Sequence, residues 1–78
     1  IKTLYYMNKK NKIKIIVNGK LLTVNLKFSL KNLIEKLKTP INKVAIELNE
    51  EIVDKKKLSK TFLKNKDKIE IVHFIGGG

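Results

Sequence analysis

The chain has no cysteine and no tryptophan. Without cysteine there is no disulfide, no thiolate metal site and no thiol nucleophile. A single histidine, His73, excludes a site built from several imidazoles. There is no arginine either; all 18 basic residues are lysine. Readers of nucleic acid lean on arginine, whose planar fork matches phosphates and guanine edges. No apolar run approaches the length needed to span a bilayer. The N-terminal stretch has no signal-peptide core. These absences leave one small domain of 78 residues, expected in a cytoplasm or a plastid stroma and without a membrane partner. A core of this size is feasible without staples.

Charge is what the chain has in excess. Eighteen basic against seven acidic residues give +11. The lysines are scattered, with Lys55-Lys56-Lys57 as the longest run. With the many Asn and Ile residues, they read as a bias toward AT-rich codons. Acidic partners and polyanions are attracted whatever the origin. A small basic nucleic-acid module would rest on this charge alone, since a concentrated basic stripe and interleaved surface aromatics are missing.

The C-terminal stretch Lys68-Ile69-Glu70-Ile71-Val72-His73-Phe74-Ile75-Gly76-Gly77-Gly78 organises the rest. Alternation predicts a strand that runs straight into three glycines. Such a tail carries no Cβ and fits channels that other residues would block. Termini and glycine runs are also common as plain linkers, so the glycines alone do not decide. Ile69 and Ile71 share one face of the predicted strand, with His73 near its end. Val72 and Phe74 share the other face with Glu70. One helix covers only one face of a small sheet, so Val72 and Phe74 are expected as exposed apolar surface, a candidate docking site. His73 is read as structural or partner-contacting.

The rest of the chain frames that strand. Ile1–Tyr6 reads as an extension or a segment added in cloning, with Met7 as the natural start. Lys12 to Val17 alternates, with Ile13, Ile15 and Val17 inward. Asn18-Gly19 marks a two-residue hairpin turn. Leu21 to Leu26 returns, in a register that pairs Val17 with Lys20, Ile15 with Leu22 and Ile13 with Val24. Ser29 is a helix N-cap. Leu30, Leu33, Ile34 and Leu37 form an amphipathic stripe, and Pro40 ends the helix. Val44, Ile46 and Leu48 face inward from another strand. Asn49-Glu50-Glu51 is a turn, and Ile52-Val53 a short strand. Lys55 to Lys57 reads as a solvated loop. Leu58, Phe62 and Leu63 are expected to plug the core from a helical turn, and Asn65-Lys66-Asp67 turns into the last strand. The fold class is α+β: a mixed sheet of four to five strands with one main helix packed across it.

From Ile13 to Gly78 the chain resembles the ThiS family of sulfur carriers of thiamine biosynthesis, within the β-grasp (ubiquitin-like) fold. The residues that carry the resemblance are Ile15-Ile16-Val17-Asn18-Gly19, Val44-Ala45-Ile46-Glu47-Leu48-Asn49 with Glu51-Ile52-Val53, and Asp67 through Gly78. Two turn positions depart from the family pattern: Glu50 and Lys66 stand where glycine is frequent.

The resemblance implies residues 7–75 as the β-grasp domain and 76–78 as a flexible reactive tail. It implies a protein co-substrate, not an enzyme, with no bound cofactor and no metal. A ThiF or E1-like enzyme would use ATP to adenylate the Gly78 carboxylate. A sulfur donor of the cysteine desulfurase type would convert it to a thiocarboxylate. The thiazole synthase ThiG would accept the sulfur. Gly76 and Gly77 would thread into partner sites, and Val72 and Phe74 would dock. The small subunit of molybdopterin synthase, or another ubiquitin-like modifier, is the alternative with the same tail logic.

Overall fold

A computed structural model describes residues 11–74. The chain opens with a hairpin of β1 (Lys12–Val17) and β2 (Lys20–Asn25). Its register pairs Val17 with Lys20, Ile15 with Leu22 and Ile13 with Val24, as the turn length requires. Asn18 (φ 49°) and Gly19 (φ 81°) both sit in the left-handed region. A Cβ at Gly19 would meet nothing within 4 Å. The glycine is therefore needed for its backbone conformation and not for space.

Helix α1 (Leu30–Lys36) starts at Ser29, whose Oγ accepts from the Asn32 N–H at 3.0 Å. Asn32 answers in kind: its Oδ1 accepts from the Ser29 N–H at 3.1 Å. This reciprocal cap satisfies two donors that a helix start otherwise leaves open. The C-terminus closes with the Lys38 N–H on the Glu35 carbonyl and the Thr39 N–H on the Ile34 carbonyl, both at 3.1 Å. That closure puts Lys38 at φ 54°, the place usually held by glycine. The helix thus stops before Leu37 enters the stripe. Leu30, Leu33 and Ile34 are buried, but Leu37 is 40% exposed, contrary to the expected four-residue stripe.

After a 3-10 turn at Ile41–Lys43 come β3 (Val44–Leu48) and β4 (Glu51–Ile52). The turn between them is Asn49-Glu50, with φ of 51° and 72°. The short strand therefore begins one residue earlier than expected. A 3-10 helix follows at Lys55–Lys60, capped by the Asp54 side chain on the Lys56 N–H at 2.9 Å. The three lysines expected in a loop form its exposed first turn.

Leu58 and Leu63 plug the core, at 5% and 3% exposure. Phe62 does not; it is 56% exposed. The reason is backbone conformation. By residue 61 the helical turn has ended, and Phe62 is bridged to Ser29 in extended pairing. The Leu30 N–H reaches the Thr61 carbonyl at 2.8 Å, and the Leu63 N–H the Phe28 carbonyl at 2.8 Å. Extended pairing alternates sides, so Leu63 turns in and Phe62 turns out.

The last strand, β5 (Lys68–His73), is the centre of a five-stranded sheet of order β2-β1-β5-β3-β4. It runs parallel to β1 and antiparallel to β3. One face meets α1 and the 3-10 helix through Ile13, Ile15, Val24, Val44, Ile46, Ile69 and Ile71. This is the mixed sheet with one main helix of the β-grasp arrangement.

Candidate functional site at the end of the central strand

Two side chains fasten β5 along its length, and both come from hairpin turns. The Asn18 Oδ1 accepts from the Ile71 N–H at 2.7 Å, and its Nδ2 donates to the Ile71 carbonyl at 3.2 Å. The amide thus copies a strand partner where backbone pairing with β1 has ended, since the parallel ladder covers only Ile16 with Lys68 and Val17 with Ile69. On the opposite flank the Asn49 Oδ1 accepts from the Lys68 N–H at 2.9 Å. Its Nδ2 donates to Asp67 Oδ1 at 2.9 Å. The second Asp67 oxygen takes the Lys64 N–H at 2.7 Å and holds the turn into β5.

The inner face of β5 is anchored by Ile69 and Ile71, at 0% and 8% exposure. Full burial of such a side chain stabilises by about 1.5–3 kcal/mol. Pairing with the β3 side persists to the end of the described chain: Val44 opposes His73, and the Phe74 N–H donates to the Lys43 carbonyl at 2.9 Å. Whatever follows Phe74 therefore leaves from a rigid central strand.

The outer face is where the sequence placed it. Val72 is 51% exposed and Phe74 56%. The Lys55 ammonium lies 5.4 Å from the centre of the Phe74 ring, within cation–π range. His73 is exposed. Gly76, Gly77 and Gly78 lie outside the described residues, as does the Ile1–Tyr6 segment. Asn18 and Asn49 were not singled out from sequence as fasteners of β5. Their own turns explain them locally, and the second role spans 53 positions for Asn18.

Elsewhere a groove of about 400 Å³ lies between α1 and the 3-10 helix, floored by Ile34, Ile41 and Leu58 and flanked by Lys31, Lys38 and Lys55. Among the described residues, no group of three or more His, Cys, Asp or Glu side chains is placed to hold a metal ion. Among the same residues no helix is long and apolar enough to cross a membrane.

Comparison with known proteins bears on the same stretch. A thiazole synthase of Paramagnetospirillum magneticum is 36% identical over 66 residues, covering 85% of this chain. The chain spans only 20% of the length of that relative. The solved structure of the thiamine biosynthesis protein ThiS from Geobacter metallireducens superposes with a TM-score of 0.75 at 32% identity. That match covers 85% of this chain and 100% of the other. The ThiS family model matches residues 15–78, from the first strand through the three glycines. The chain belongs to the ThiS family.

Proposed function

We propose that this chain is a sulfur carrier of thiamine biosynthesis and that Gly78 bears the sulfur. The observation that carries the reading is the family match from residue 15 to residue 78, which takes in the glycine tail together with the strand that presents it. In the proposed cycle the Gly78 carboxylate attacks the α-phosphorus of ATP on a ThiF or E1-like enzyme and displaces pyrophosphate. The outer sulfur of a persulfide on a cysteine desulfurase-type donor then attacks the acyl carbon, and AMP leaves. A thiol reductant cleaves the S–S bond of the acyl disulfide so formed, taking the donor's sulfur into a new disulfide and freeing the thiocarboxylate. The resulting thiocarboxylate hands its sulfur to thiazole synthase.

Activation is needed because a free carboxylate has no adequate leaving group. The chain contributes position and access. Its central strand fixes the tail's origin, and Gly76 and Gly77 let the tail enter two different active sites. Val72 and Phe74 supply apolar area for docking beside it. The chain acts as co-substrate, and ATP belongs to the activating partner. That a segment like this one forms part of a thiazole synthase supports thiazole synthase as the acceptor.

The test is intact-protein mass spectrometry after incubation with ATP, a ThiF-type enzyme and a sulfur source. The expected product has one oxygen replaced by sulfur, localised to Gly78. A variant lacking Gly78 should fold and stay unmodified. Adenylation of that variant, or no mass change while a control carrier is converted, overturns the reading.

A further inference from the structure

Asn18-Gly19 is the single Asn-Gly pair in the chain. Such a pair carries its own reaction. The glycine nitrogen has no neighbouring side chain to block its approach to the asparagine amide carbon. Once that nitrogen gives its proton to water, it can attack Asn18 Cγ. A Cγ–N bond forms, the Cγ–Nδ2 bond breaks, and Nδ2 takes up a proton and leaves as ammonia. Water then opens the resulting succinimide at one of its two carbonyls. The product is an aspartate or an isoaspartyl linkage, in which the backbone runs through the side chain. One water enters and one ammonia leaves. Asn18 and Gly19 are both exposed, so solvent reaches the pair.

The fold restrains this reaction through β5. The succinimide ring needs the Asn18 Cβ and the Gly19 nitrogen on the same side of the Asn18 Cα–C bond. The left-handed conformation of Asn18, with φ 49°, has a positive ψ and sets them nearly opposite. Three hydrogen bonds pin the residue, and all three end on β5. The Asn18 N–H donates to the Ile69 carbonyl at 2.9 Å. Its Oδ1 accepts from the Ile71 N–H at 2.7 Å, and its Nδ2 donates to the Ile71 carbonyl at 3.2 Å. Backbone and side chain must both come away from β5 before the ring can close.

We propose that Asn18 is a spontaneous deamidation site gated by β5. Conversion proceeds in molecules whose central strand has come loose from the hairpin, and it weakens the reseating of that strand. An aspartate still accepts from the Ile71 N–H, but it turns a charged acceptor toward the Ile71 carbonyl where the amide donated. An isoaspartyl linkage adds an atom to the backbone of a turn whose length sets the hairpin register. Either product loosens the strand that leads to the glycines. The proposal stands whether or not Gly78 carries sulfur.

The test follows conversion at Asn18 by peptide-mapping mass spectrometry and enzymatic methylation of isoaspartate. The full chain is incubated at mildly alkaline pH, below its melting transition. Conversion should be at least about tenfold slower in the folded chain than in denaturing urea. Val72→Gly, at an exposed position beside Ile71, loosens β5 and should speed conversion by about threefold or more. Thr23→Gly loosens β2 at an exposed position away from β5 and should leave the rate within about twofold of wild type. In the wild type at sub-denaturing urea, conversion should track amide exchange at Ile71, a readout independent of any variant's folding.

Equal rates folded and unfolded, equal acceleration by the two variants, or no conversion in urea would each overturn the proposal. So would conversion that follows global unfolding and not exchange at Ile71. The consequence is read in Asn18→Asp, which supplies the aspartate product directly. Its amide exchange should quicken at Ile71 and Val72 more than in the β1–β2 hairpin. Unchanged exchange there overturns the claim that conversion loosens the strand.

Discussion

Single residues in this chain sit where their side chains are a liability. Lys38, Glu50 and Lys66 hold φ of 54°, 72° and 73°. A left-handed conformation costs an L-residue about 1–2 kcal/mol relative to its preferred region. Glycine escapes that strain and loses about half of the gain through its freer unfolded state. Glu50→Gly and Lys66→Gly should therefore each stabilise by about 0.5–1 kcal/mol. For a domain this size that is about 2–6 °C in melting temperature. Thermal denaturation of the two single variants and the double variant checks this. The two turns meet at the start of β5, where Asn49 bonds Asp67 and Lys68, so the double variant measures their coupling as well as their sum. A loss of stability in either variant would mean that the native side chain makes contacts worth more than its strain. The sequence showed these positions only as departures from a family pattern. That they are strained follows from the backbone and from nothing in the residue types, because Glu and Lys carry no turn signal of their own.

At the scale of the element, β5 is the strand whose position matters, and its attachment is only partly backbone. The parallel ladder with β1 contributes two residue pairs, after which Asn18 substitutes for a strand. Asn18→Ala removes an acceptor and a donor together and leaves the Ile71 N–H and carbonyl partly buried without that partner. It also replaces a residue that tolerates positive φ with one that does not. The expected cost is about 2–3 kcal/mol, read by denaturant titration. Amide exchange should quicken at Ile71, Val72 and His73 more than at the β1–β2 hairpin. Uniformly faster exchange would show that Asn18 acts through its turn alone. Much of this element's setting was legible in the residues. Alternation put Ile69 and Ile71 inside and Val72 and Phe74 outside. Asn18-Gly19 with its flanking alternation set the hairpin register, and Ser29 marked the helix start. What failed was local in pattern and decided by geometry elsewhere. Phe62 looked like the continuation of a helical turn, yet pairing with Ser29 had already switched the chain to extended backbone. Leu37 fitted the stripe, yet the helix closed at Lys36. The amide bonds from Asn18 and Asn49 join positions that periodicity treats as independent.

For the whole molecule the governing quantity is charge. Seven acids cannot neutralise 18 lysines, and the excess is spread over the surface. Compactness brings these charges together, so folding works against their mutual repulsion. Added salt shortens the reach of that repulsion to about 10 Å at 0.1 M. The melting temperature should therefore rise between about 10 and 200 mM NaCl, in the range where exposed charges become screened. The same charge draws polyanions without selecting among them. Binding to a single-stranded oligonucleotide, followed by fluorescence anisotropy, should be measurable at low salt and fall steeply by about 200 mM. Opposite responses to one titration, tighter folding and weaker polyanion binding, are what a diffuse lysine excess requires. A true nucleic-acid site would behave differently. Its hydrogen bonds and stacking would survive screening and discriminate between sequences. Sequence-selective binding that persists at 200 mM would assign the basic surface a function of its own. Loss of binding together with a rising melting temperature would place the lysines in solvation and in steering acidic partners, and leave recognition to the open face beside β5.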